Sequence, residues 1–210
     1  MIPLRSSHTV KRIDPLVFAV LAIWLLARVL AWIFGTEFVI RAALIPADFS
    51  LVKVLTSIPM HESLFSTLVS MLYFWVFGPA IFEVFRPWRL LVASFVGTAL
   101  AMWAFCAIHS LATAPILSSD AFLGFYLGAF MRKDIWGSVD TLVIGPLWVR
   151  VFSVPSYVLL FFWFFYLLIG NLLLDPPFSD APMLYLVPLL GFLLGFAYAS
   201  LKWSQSSAVE

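Results

Sequence analysis

PMHESLFSTLVSMLYFWVFG, residues 59 to 78, opens on polar residues and becomes apolar at Leu64. The run then continues to Phe85, interrupted only by hydroxyl-bearing residues, Gly78, Pro79 and the terminal Glu83. An uninterrupted apolar helix of about 20 residues spans the roughly 30 Å hydrocarbon core of a bilayer. Working outward, five further runs of this kind appear. Pro15 to Phe34 is opened by a proline at a helix start and closed by Gly35. Leu90 to Ile108, Ile116 to Met131, Tyr157 to Leu174 and Met183 to Leu201 follow. The fourth span is the shortest and opens with Ser118, Ser119 and Asp120. The expected fold is an all-α membrane protein, a bundle of six transmembrane helices.

Composition points the same way. Hydrophobic residues make up 63% of the 210 residues and charged residues only 11%. The mean hydropathy is +1.05. An ordinary soluble domain of that composition would expose far too much apolar surface. Six spans use up the length, leaving no room for a separate soluble domain. The net charge of +1 and the absence of a Lys/Arg cluster give no sign of nucleic-acid binding. No cleavable signal pattern precedes the first span. Cys106 is the single cysteine and lies in an apolar run, so a buried thiol is expected and no intrachain disulfide is possible.

The connections differ in character. Thr36 to Pro59 carries scattered apolar residues and is expected to form short amphipathic pieces in the interface between the first and second spans. Arg132 to Val154, with Trp136 and Trp148 among polar residues, is also expected at headgroup level. Residues 1–14 and 203–210 are expected as polar cytoplasmic tails flanking a membrane domain of residues 15–202. With the amino terminus inside, Arg5, Lys11, Arg12, Arg86, Arg89, Arg132, Lys133, Arg150 and Lys202 all fall inside, against Arg41 and Lys53 outside. That bias predicts both termini in the cytoplasm, with the acidic stretch at residues 175–180 outside. A bacterial inner membrane is the expected location.

Several polar residues sit in or beside the spans. Arg28 reads as a snorkelling or helix-paired arginine, with a counter-ion role as the alternative. Glu83 precedes Arg86 by three residues and reads as a helix-end ion pair. Ser118, Ser119 and Asp120 read as N-capping residues of the fourth span. Their alternative is a nucleophile at a helix start, where the macrodipole favours developing negative charge. Gly124 and Gly128 in the fourth span, and Gly191 and Gly195 in the sixth, have the spacing that lets helices approach closely. His61 beside Glu62 is far short of a metal site, and no metal or cofactor is expected. His109 reads as a helix-end residue, and Asn171 as an interhelical hydrogen-bonding residue.

An ordered set of motifs over Pro59 to Ala199 resembles the rhomboid intramembrane serine proteases. His61 resembles the histidine that opens their second helix. Met71, Trp75 and Phe77-Gly78 fit N-M-x-x-x-W-x-F-G. Gly78-Pro79, Glu83 and Arg89 are similar to G-P-x-x-E and a later arginine, with Glu83 one place late. Arg150-Val151-Phe152, Pro155 and Trp163 resemble R-V-x-x-x-P leading into the fifth helix. Gly191-Phe192 and Gly195 resemble the closing G-F-x-x-G. The resemblance implies a rhomboid-like six-helix fold.

The departures fall on the chemistry. The family's nucleophile lies in G-x-S-G. Here Ser119 takes that place if Gly124 sets the register, and Asp120 if Gly128 does, with both flanking glycines absent. The family's histidine base aligns with Pro188, which has no proton acceptor, and its oxyanion-hole histidine and asparagine align with Ser66 and Ser70. A serine hydroxyl without a base is a weak nucleophile, and each lost oxyanion donor costs about 10²–10³ in rate. No lysine lies in the spans, which excludes a Ser-Lys unit. The resemblance therefore implies an inactive relative that binds or regulates transmembrane helices of other membrane proteins within the lipid bilayer. The alternative is an active serine hydrolase using Ser119 with His61 or His109 as a displaced base. A transporter role, prompted by Arg28, Glu83 and Asp120, finds no broken-helix inverted repeat to support it. The sequence leaves the oligomeric state open.

Overall fold

Six long helices carry the chain, in a computed structural model that describes residues 2–6, 13–110, 115–144, 149–174 and 186–207. In order they are β1 (Ile2–Ser6), α1 (Pro15–Phe34), α2 (Thr36–Ala42), α3 (Leu51–Ser57), α4 (Leu64–Phe82), α5 (Pro87–Ile108), α6 (Ser119–Asp134), β2 (Ser138–Ile144), β3 (Val149–Pro155), α7 (Ser156–Leu174) and α8 (Leu186–Ser207). Among the described residues α1, α4 and α5 are long and apolar enough to cross a membrane. The molecule is mostly helical and has the character of a membrane protein.

Local chemistry sets the helix ends. Asp14 caps α1, its side chain accepting from the Leu16 N–H at 2.9 Å, and Pro15 supplies a preset φ in the first turn. Gly35 stops the helix at φ +75°, a left-handed conformation that side chains resist. Ser63 caps α4 by accepting from the Ser66 N–H at 3.0 Å. One face of α1 is buried through Val17, Val20, Trp24 and Ala27, while Phe18, Ile23, Leu25, Leu26 and Trp32 stand exposed. Apolar residues on the outer face are stable only where the solvent is itself apolar.

The core runs along α4 and α6, where Phe74, Phe77, Phe122, Tyr126 and Phe130 pack in edge-to-face, tilted and stacked pairs at ring separations between 4.6 and 6.5 Å. A second cluster gathers Leu44, Val54, Phe105, Cys106, Ile116 and Ala121. The α2–α3 connection joins this cluster through a backbone bridge in which the Leu44 N–H donates to Ile116 at 3.0 Å and the Ile116 N–H to Leu44 at 2.8 Å.

The structure departs from expectation at four places. The helix expected as the fourth span starts at Ser119, not Ile116, because Ile116 is held in the bridge to Leu44. The expected interfacial loop after it contains an antiparallel β2–β3 hairpin, pairing Ser138 with Pro155 and Ile144 with Val149. Residues 2–6 of the expected amino-terminal tail add to that hairpin as a third strand, with Arg5 opposite Asp140. At the other end, α8 continues to Ser207, beyond the expected boundary at 202. The expected outer loop at 175–180, His8, Lys11, Arg12, Gly145, Pro146, Trp148, Met183 and the Asn171 side chain lie outside the described residues.

Candidate functional site

The first turn of α6 carries the three residues singled out from the sequence. Ser118 occupies the N-cap position, yet its side chain makes no capping bond. Its hydroxyl instead reaches α3: it lies 2.7 Å from the Val54 carbonyl and 2.6 Å from the Ser57 hydroxyl, which is itself 3.0 Å from Val54. Two hydroxyl protons thus serve three oxygen contacts in a fully buried knot. The capping role expected of Ser118 is replaced by a cross-link between the α3 segment and α6. Ser119 is buried at the first helical position, and Asp120 is half-buried at the second.

Neither candidate base meets Ser119 through a hydrogen bond among the described residues. His61 is 3% exposed and packs edge-on against Trp24, ring centroids 5.1 Å apart. Its Nδ1–H donates to the Pro59 carbonyl at 3.3 Å, and its Nε2 is buried without a partner. The imidazole lies in the α3–α4 connection, outside the spanning helices. Burial, with a smaller push from the Arg28 guanidinium, lowers its pKa from 6.5 to about 4, against the opposing bond to Pro59. It is therefore neutral at pH 7. His109 is the C-cap of α5, where its Nδ1–H donates to Phe105 at 3.2 Å and its ring stacks on that phenylalanine at 4.4 Å.

The α6–α8 seam is built on glycine. A Cβ on Gly124 would strike the Pro188 carbonyl oxygen, and one on Gly128 the Phe192 carbonyl oxygen. From the other side, a Cβ on Gly191 would strike the Ala121 carbonyl oxygen, and one on Gly195 that of Phe125. All four obstacles are backbone, so no rotamer change relieves them. The contact positions rise together along both helices, so α6 and α8 run parallel. Pro188 belongs to this seam through its carbonyl, and its ring offers no proton acceptor.

A different arrangement separates α4 from α7. A cavity of about 450 Å³ lies between them, lined by Val69, Leu72, Tyr73, Leu159, Phe162, Trp163 and Tyr166. Its inner wall is tied by the Tyr73 hydroxyl, which donates to the Leu159 carbonyl at 3.0 Å. Its other end is polar. Tyr166 stands there, within electrostatic reach of both Asp120 and Glu62. Phe65, in the first turn of α4, sits 5.9 Å from the Tyr166 ring and fixes the level of that end. Ser70 is buried on the same helix.

The structure therefore ties Ser118 to α3, puts Asp120 within electrostatic reach of Tyr166, and keeps His61 and His109 on separate anchors. Glu83, expected to pair with Arg86, also lies within electrostatic reach of Lys133 on α6, whose ammonium donates to the Ala80 carbonyl at the end of α4. Arg28 lies near His61. Sequence reasoning missed Ser57, Tyr73 and Tyr166. A lone serine in a short helix carries no signal, while a tyrosine within an apolar helix does, since its hydroxyl needs a partner there. No group of three or more His, Cys, Asp or Glu side chains gathers into a metal site among the described residues. No protein-family model and no curated protein matches this chain.

Proposed function

We propose that this chain is a rhomboid-like, six-span membrane protein that has lost proteolysis and holds transmembrane helices of other membrane proteins in the α4–α7 cleft. The observation that carries the reading is the 450 Å³ apolar cavity between two helices joined by few contacts. Its walls are aromatic and aliphatic, which suits the side chains of a membrane helix. Parallel α6 and α8 support six crossings, because α7 must return through the same thickness between them. The chemistry expected of a protease fares poorly: Pro188 stands where the base would be, and Ser66 and Ser70 stand where oxyanion donors would be. The basic residues favour both termini in the cytoplasm, and a bacterial inner membrane fits that bias.

One observation favours the alternative of an active hydrolase using Ser119. His61 is a neutral imidazole whose Nε2 has no partner. Trp24 links it to the start of α6 through Phe122, 6.2 Å away. The two readings separate in one experiment. Wild type and Ser119→Ala are incubated side by side with a panel of single-span substrates in the same vesicles, and cleavage and co-purification are both scored. The binding reading expects no cleavage by either and retention of a substrate helix by both. Cleavage by wild type alone would overturn it and direct the search for a base to His61 and His109.

A further inference from the structure

We infer that the end of the molecule formed by the α4–α5 connection and the three-stranded sheet gathers anionic phospholipid headgroups of the surrounding bilayer, with Arg86 and Arg89 as the phosphate contacts. This inference rests on the membrane character of the chain and is independent of the helix-holding function.

Topology collects positive charge at that end. α4 finishes at Phe82 and α5 begins at Pro87, so Arg86 and Arg89 lie where one apolar helix turns into the next. Lys133, in the last turn of α6, donates to the Ala80 carbonyl near the end of α4, which brings Arg132 and Lys133 to the same level. The sheet joins there too, since the Ser156 N–H at the start of α7 donates to the Gly137 carbonyl at 2.8 Å. Strands β1 and β3 add Arg5 and Arg150, and α8, parallel to α6, adds Lys202 near its end. Among the described residues these seven stand against Asp14, Glu83, Asp134 and Asp140. The opposite end has the reverse balance, with Arg28, Arg41 and Lys53 against Glu37, Asp48, Glu62 and Asp120, and there Arg41 is paired with Glu37 at 3.5 Å.

Exposure and aromatic placement point to a headgroup. Arg86, Trp88 and Arg89 are all exposed, and the Arg89 guanidinium carbon stands 5.5 Å from the Trp88 ring centroid. A guanidinium held over a ring keeps its N–H edges free for a phosphate, which it matches bidentately. Across the sheet, Trp136 is 84% exposed and meets Tyr157 edge-on at 5.9 Å. Val151 and Phe152 are exposed on opposite faces of β3. Tryptophan and tyrosine settle at the headgroup level. Basic residues placed there draw anionic lipid, each by about fivefold.

The test uses the full chain with Cys106→Ala, reconstituted in mixed vesicles, and a bimane dye at Val84→Cys in the α4–α5 connection or at Val52→Cys on α3 at the opposite end. Phosphatidylglycerol and phosphatidylcholine carrying a nitroxide near the glycerol quench the dye at contact range. At position 84 phosphatidylglycerol should quench with about tenfold higher relative association, and at position 52 the two lipids should agree within about twofold. Arg86→Gln with Arg89→Gln should bring position 84 to within about twofold as well, and Arg86→Gln alone should lower the preference if the pair fails to fold. Inorganic phosphate added at constant ionic strength should leave the preference unchanged. Equal quenching by both lipids at position 84, or the same preference at both positions, would overturn the inference. A preference that survives the arginine substitutions would overturn the assignment to Arg86 and Arg89, and one abolished by inorganic phosphate would show a soluble anion as the ligand and overturn the lipid.

Discussion

The α6–α8 seam and the α4–α7 cleft are built from similarly apolar helices and behave oppositely. In the seam, four glycines let backbone meet backbone, with no side chain between the helices to yield. In the cleft, large side chains hold two helices apart around about 450 Å³ of space. In the function proposed above, the seam stands where a hydrolytic dyad would be and the cleft receives the guest helix. A rigid seam beside a loose cleft is an arrangement that can hold a guest without a reaction to carry out.

The strongest way to break this contrast is to add a side chain to each side. Gly195→Val forces a branched side chain into the Phe125 backbone. It should destabilise the protein by about 3 kcal/mol or more, the scale of severe overpacking, seen as a collapse of the melting temperature in detergent.

A pH scan probes the buried His61, packed against Trp24. The His61 pKa is lowered from 6.5 to about 4 in the folded state, so the unfolded chain takes up the proton first as pH falls. The stability His61 contributes is fully present above pH 6.5 and is lost progressively toward pH 4. The loss at the acid end should be on the order of 3 kcal/mol. His61→Phe should flatten the pH dependence of the melting temperature across this window. An unchanged slope would mean His61 is not held neutral.

Ser118→Ala should cost roughly 1–2 kcal/mol, because it removes one buried hydroxyl from a knot of three oxygen contacts. Ser119→Ala should cost less, and the difference in melting temperature between the two distinguishes a structural link from a nucleophile. The smallest change in stability is expected in the cleft. Val69→Phe fills existing space and should shift stability by less than about 1 kcal/mol, while reducing capture of a guest helix in the same vesicles.

The long helices were legible because their signals are local. Proline at position 15 and glycine at position 35 mark both ends of α1, and the apolar runs give α4, α5 and α7 within a few residues. The start of α6 was displaced because Ile116 is as apolar as the helix that follows, while its backbone belongs to a bridge with Leu44. The hairpin had a signal that the tryptophans outweighed: SVDTLVI and VRVFSVP are rich in β-branched residues. Strand β1 had none, since its pairing with β2 joins segments far apart in sequence. The glycine spacing suggested close packing of α6 and α8, but not that four carbonyl oxygens form the contact. At the candidate site, Ser118, Ser119 and Asp120 were marked by type and position. The partner of Ser118 on α3 depends on how helices from distant segments meet.

The most direct measurement is photo-crosslinking of a single-span guest helix in vesicles. A benzophenone side chain replaces Phe162 in the cleft or, as the control, Trp103 on the exposed face of α5. Guest adducts at position 162 and few at position 103 are the expected result. Equal labelling at both positions, or labelling at position 103 alone, would contradict the claim that the α4–α7 cleft holds the guest.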